Sequence, residues 1–208
     1  RFLAFAAALS LTACPKGPPV KRADPNAVSV YTSLYPDVIE AIRPAIDAEL
    51  AKSAPGMRVE WVQGGSSRIR RKLDRELSHR RGSPADILLT SDPSHYVELA
   101  KKGRLFPYAS PAAASLPVEA RAPDHAWVTA RYSVMVIGVV PGRTKVASFE
   151  DLSGKKLKEG GLSIGDPDFS GTNLVTVARL SSRLGWDYYE TLKARGVVVA
   201  QCRARDLV

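Results

Sequence analysis

Ser83-Pro84-Ala85-Asp86-Ile87-Leu88-Leu89-Thr90-Ser91-Asp92-Pro93 is the stretch whose reading decides the fold. The apolar run Ile87-Leu88-Leu89 has the pattern of a buried parallel strand, predicted over residues 85–90. Asp92 then offers a helix N-cap, and Pro93 takes the first helical position, where a missing N–H costs nothing. The helix that follows stops at Gly103. A strand that runs through a short polar loop into a helix is the building unit of a sheet flanked by helices.

The same unit recurs on both sides. Upstream, residues 28–31 alternate as a strand, and Val38, Ile42, Ile46 and Leu50 fall on one helical face beside Ile39. Pro44 interrupts that face at a cost of about 3 kcal/mol, which predicts a kink or a restart. Residues 57–62 form a second strand. Gly64-Gly65-Ser66-Ser67 turns into a helix with Ile69, Leu73 and Leu77 inward and Arg68, Arg70 and Arg71 on a solvated face. Downstream, the Pro-, Ala- and Ser-rich residues 106–124 predict a surface crossing. Residues 127–140 are strongly β-prone and exceed the usual strand of about 5–6 residues, so a strand passing from one domain to another is expected. A short helix at 149–152, a strand at 162–165, helices at 170–184 and 187–195 and a strand at 197–200 complete the pattern. The fold class is therefore α/β with parallel or mixed sheets. The sequence ends at Val208 inside what reads as a helix start, and the C-terminal part of the fold is expected to be missing.

A chain of 208 residues with 45% apolar and 25% charged content suits one large globular domain or two small ones. The formal charge of +9 is compatible with an anionic ligand, a membrane surface or nucleic acid. The cations are spread along the chain and no nucleic-acid signature accompanies them, so nucleic acid is not an expected partner. Phe2 to Leu11 is an apolar run shorter than the about 20 residues a membrane span needs, and it fits a secretory signal. Leu11-Thr12-Ala13-Cys14 resembles a bacterial lipobox, which makes Cys14 the expected lipidation site and residues 15–26 a proline-rich tether. The first residue is Arg rather than Met, so the signal is expected to be partial. The expected location is the periplasm or cell envelope, lipid-anchored to a membrane. Cys202 is expected to be a buried thiol. His79, His95 and His125 lack metal-ligand spacing, and no nucleophile elbow, P-loop or dinucleotide fingerprint occurs, so no enzyme is expected.

Open α/β sheets bind ligands at the carboxyl ends of their strands. Those loops carry Ser33 and Tyr35, then Gly65 and Ser66, then Ser91, then Asp166, Ser170, Gly171, Thr172 and Asn173. Ser170-Gly171-Thr172-Asn173 opens a helix with small, donor-rich residues, and free N–H groups at a positive helix end suit an anion. Tyr188-Tyr189 is expected to pack rather than to bind.

Val30-Tyr31-Thr32-Ser33-Leu34-Tyr35, Val59 to Ser66, Ser83 to Thr90, Gly103-Arg104-Leu105-Phe106-Pro107-Tyr108 and Ile164-Gly165-Asp166-Pro167, in this order and spacing, carry a family resemblance. Together they resemble extracellular solute-binding proteins, with ferric-iron-binding proteins of ABC importers as the best-known members. The resemblance implies a type II periplasmic-binding fold of two α/β lobes joined by crossing strands, with the ligand between them. On that plan residues 1–13 are a partial signal peptide, 14–27 the lipidated cysteine and tether, 28–126 the first lobe, and 127–208 the crossing strand and second lobe. It implies a small solute or metal-anion ligand, an ABC permease as partner, and bound Fe(III) with a synergistic anion. It also implies an anion-holding role for Arg131 and a metal-binding role for Tyr35. The sequence departs from the ferric pattern at Ile137 and Pro36, where tyrosine is common in such proteins. Capture of a phosphonate, sugar phosphate or carboxylate for import, or solute sensing by a lipoprotein, are the other functions it allows.

Overall fold

The computed structural model describes residues 24–79, 81–140, 146–154 and 161–201. The lipobox with Cys14, the tether up to residue 23, Cys202 and the expected final helix lie outside these residues.

Three parallel strands build the first sheet: β1 (Ala27–Thr32), β2 (Arg58–Gln63) and β3 (Ile87–Leu89), in the order β2-β1-β3. Parallel neighbours need crossovers, and α1 (Pro36–Ser53) and α2 (Ser66–Ser78) provide them. β1 is paired on both sides, and Val30, Tyr31 and Thr32 are buried in consequence. Ile39 of α1, Ile69 and Leu73 of α2, and Leu99 of α3 (Pro93–Lys101) are buried with them. The Tyr31 hydroxyl donates to Glu76 at 2.9 Å, and Lys72 and Ser83 donate to the same carboxylate, which ties β1 to α2 and to the loop before β3.

The second sheet pairs β4 (Ser163–Gly165) with β5 (Val198–Ala200), again in parallel. Around it stand α4 (Phe149–Ser153), α5 (Gly171–Leu184) and α6 (Asp187–Ala194). Leu152, Tyr188 and Leu192 form its core, with Phe149, Leu162, Leu180, Leu184 and Val197 packed against them. Tyr188 meets Tyr189 edge-on at 5.1 Å between ring centroids, so the tyrosine pair packs as expected. Each sheet with its helices forms one α/β lobe.

Several expectations are corrected. Residues 127–140 form no paired strand among the described residues. They run without regular structure, joined to the preceding turn by the Arg121–Val128 bridge and a hydrogen bond from Thr129 N to the Ala120 carbonyl. β propensity reflects packing against cross-strand neighbours, and Val134 (83% exposed) and Val136 (72%) have none here. The segment still links the lobes, because Ile137 packs against the second core. α1 continues through Pro44 without a restart. Pro44 and Glu40 are both exposed, so the carbonyl left without its donor faces water. β3 is not a buried strand; among the described residues it pairs on one side only, and Ile87 stays half-exposed.

Candidate functional site

The carboxyl ends of the first sheet are tied into one rigid rim. The Thr32 hydroxyl donates to the Leu89 carbonyl at 2.9 Å and accepts from Leu34 N at 3.0 Å. Gln63 Nε2 donates to the Leu34 carbonyl, and Gly64 N to that of Thr32. Ser33 is held at the rim by its own N–H, which donates to the Leu89 carbonyl.

Two helix N-termini meet at this rim. α2 starts at the buried Ser66, with Gly65 as its N-cap residue. α5 starts at the buried Gly171, with Ser170 as its N-cap. A β-carbon on Gly171 would stand 2.8 Å from Ser66 Oγ and 2.8 Å from the Ser91 carbonyl oxygen, so the two helix starts abut. Ser66 Oγ lies 3.5 Å from Ser91 Oγ. Positive helix ends beside two serine hydroxyls form an environment suited to an anion.

α3 is different. Asp92 caps it, accepting from Ser94 N at 3.1 Å and His95 N at 3.4 Å, and Pro93 has no N–H to give. That helix start is satisfied internally. Burial pushes the Asp92 carboxyl up. Hydrogen bonds from Ser94 and Arg70, the Arg70 charge and the His95 N–H outweigh burial and hold it below the usual carboxylate value. Arg70 also binds Glu98 through both carboxylate oxygens at 2.8 Å. The expectation that Arg70 belongs to a solvated face is thereby corrected, because it crosses to α3 while Arg68 and Arg71 remain exposed. His95 is buried, with Nε2 3.1 Å from the Asp74 carboxylate.

A cavity of about 670 Å³ lies between the lobes. It brings together Ser33, Ser91, Arg131 and Thr172 of the predicted residues. Thr176 and Arg179 of α5 join them and were not anticipated. The periodicity was available, since Thr172, Thr176 and Arg179 follow the spacing of one helical face. None of the lining residues is acidic, and the wall carries Arg131 and Arg179.

The other predicted residues lie elsewhere. Gly65, Ser66 and Gly171 form the contact beside the cavity. Asp166 organises its own loop: one carboxylate oxygen accepts from Asp168 N at 2.8 Å and the other from Gln201 Nε2 at 2.9 Å. Ser170 accepts from Asn173 N at 3.4 Å, and the Asn173 side chain packs directly on Gly165, leaving the cap itself structural. Tyr35 is the half-buried N-cap residue of α1, and its carbonyl accepts from Val38 and Ile39. It does not line the cavity. Among the described residues no three His, Cys, Asp or Glu side chains cluster as a metal site, and no helix is long and apolar enough to cross a membrane.

The model of the bacterial extracellular solute-binding protein family matches residues 34–204, most of the chain. No curated protein is similar enough to match. Among solved structures, the periplasmic binding protein P5PA is similar at 18% identity and a TM-score of 0.58, over 88% of this chain and 60% of that one. The periplasmic binding protein AfuA from Actinobacillus pleuropneumoniae, with exogenous fructose-6-phosphate bound, is similar at 18% identity and a TM-score of 0.56. That match covers 84% of this chain and 56% of AfuA, so the chain spans less than two thirds of either relative.

Proposed function

We propose, because this chain belongs to the bacterial extracellular solute-binding protein family, that it captures a small organic anion, of which sugar phosphates are the leading class, and delivers it to an ABC permease. The observation that carries this reading is the meeting of the α2 and α5 N-termini at Ser66, Ser91 and Gly171, beside a cavity with two arginines and no acid. Backbone N–H groups and hydroxyls are neutral donors, so they recognise phosphate or carboxylate oxygens by hydrogen bonding without a large charge penalty. Arg131 and Arg179 supply the long-range attraction and can fork onto such oxygens. AfuA, of like fold, is the relative described with fructose-6-phosphate bound.

Iron with a synergistic anion is the competing reading. A ferric ion favours several hard oxygen donors at one point, and Tyr35 stands away from the cavity wall. The lipid anchor on Cys14 would hold the protein at the membrane beside its permease, with residues 15–26 as the tether. Calorimetric titration with fructose 6-phosphate, inorganic phosphate, a phosphonate, citrate and ferric citrate tests the reading. It predicts saturable binding of a phosphorylated or carboxylated anion without metal. Binding of ferric citrate alone would favour iron instead.

A further inference from the structure

We infer that the loop of residues 168–171 is the closing surface of the second lobe, and that glycine at positions 65 and 171 is what allows the two lobes to meet. This rests on the reading of the cleft as a capture site. Three contacts within four residues cross between the lobes. Asp168 faces Arg71 at 3.9 Å, Phe169 lies over Gly65, and Gly171 is seated on Ser66 and Ser91. The ion pair is exposed on both sides and contributes little. The two glycine contacts are the close ones. A β-carbon on Gly65 would stand 2.6 Å from the Phe169 carbonyl oxygen and 3.0 Å from its ring. On Gly171 it would meet the Ser91 carbonyl carbon and oxygen and Ser66 Oγ, all at 2.8 Å.

These obstacles are largely backbone, and backbone within a packed rim cannot step aside as a flexible side chain can. A methyl group at either position must therefore displace one lobe from the other. The backbone itself has no need of glycine at position 65, where φ is −59° and ψ is 151°, an ordinary conformation for any residue. Gly171 occupies the first turn of α5, where alanine favours the helix. The predicted signature is thus a variant whose fold is as stable as the parent or more so, while closure is lost. A ligand that gains affinity only from the closed state loses that gain with it.

The test uses G65A, G171A and the control G138A, whose added carbon meets nothing within 4 Å. Cys14 and Cys202 are replaced by serine, and spin labels are placed at K52C on α1 and S182C on α5, both exposed positions. The interlobe distance distribution is read by pulsed electron resonance, with and without fructose 6-phosphate or inorganic phosphate. The parent and G138A are expected to populate the short distance. G65A and G171A are expected to shift to longer distances, with affinity at least tenfold weaker for whichever probe binds the parent and thermal stability maintained. Unchanged distances in both glycine variants, or an equal shift in G138A, would overturn the inference. If neither probe binds the parent, the functional reading fails, while the ligand-free distances still decide the role of the glycines.

Discussion

Replacing Asp92 with alanine removes two supports at once. The carboxylate caps α3 through Ser94 N and His95 N, and it holds the Arg70 guanidinium at 3.0 Å. Loss of an N-cap costs about 1 kcal/mol. The ion pair is buried on the Asp92 side, with 5% of that side chain exposed, and 28% exposed on the Arg70 side. Arg70 keeps Glu98 in the variant, so the loss amounts to one charge-assisted hydrogen bond, about 1.5 kcal/mol. The expected destabilisation of D92A is therefore about 2.5 kcal/mol, a fall in Tm of roughly 5–10 °C for a chain of this size. D92N keeps an oxygen for the cap and loses the charge, so about half that effect is expected. Urea unfolding followed by circular dichroism measures both. The folded-state pKa of Asp92 lies below the usual value, so its stabilisation is present above the unfolded-state pKa. It disappears as pH falls through the folded value, and D92N should lose less stability on acidification than the parent. A D92A protein within about 0.5 kcal/mol of the parent, inside the range of ordinary surface changes, would refute the assignment of Asp92 as a link between α2 and α3.

Three further outcomes are expected. Leu192→Ala should cost about 2–5 kcal/mol by opening a cavity against Leu152 and Tyr188, measurable by denaturant unfolding. Tyr31→Phe should cost about 1 kcal/mol, because Glu76 keeps Lys72 and Ser83 when the hydroxyl is gone. The Tyr188 phenol is pushed up to about 12 by burial, with the Tyr189 and Glu150 neighbours adding to it. Ultraviolet titration of the parent against Tyr188→Phe should assign the last-ionising tyrosine to this residue. A raised folded-state pKa means that its contribution to stability is full below the unfolded value near 10 and is lost as pH rises through about 12.

The strand–loop–helix pattern was legible because each punctuating residue acts locally. Asp92 caps its helix, Gly185 and Gly196 follow helix ends with positive φ, and Ile69 and Leu73 are buried as their spacing requires. Features that depend on distant neighbours were not legible. Among the described residues, the β-prone residues 127–140 join no sheet beyond the single Arg121–Val128 bridge, because pairing needs a partner that propensity cannot supply. Arg70 looks like any other arginine of α2 until α3 is placed beside it. In the site, the helix start at Ser170 was readable from its small residues, whereas Arg179 enters only when α5 is set against the cavity.

The most direct measurement is an amide titration of ¹⁵N-labelled protein with fructose 6-phosphate and inorganic phosphate. Anion capture between the lobes predicts saturable shifts at the N–H groups of Ser66, Ser91, Gly171 and Thr172, with one common dissociation constant for each probe. Saturable binding that leaves these amides unmoved, or no saturable binding of any anion, would contradict it.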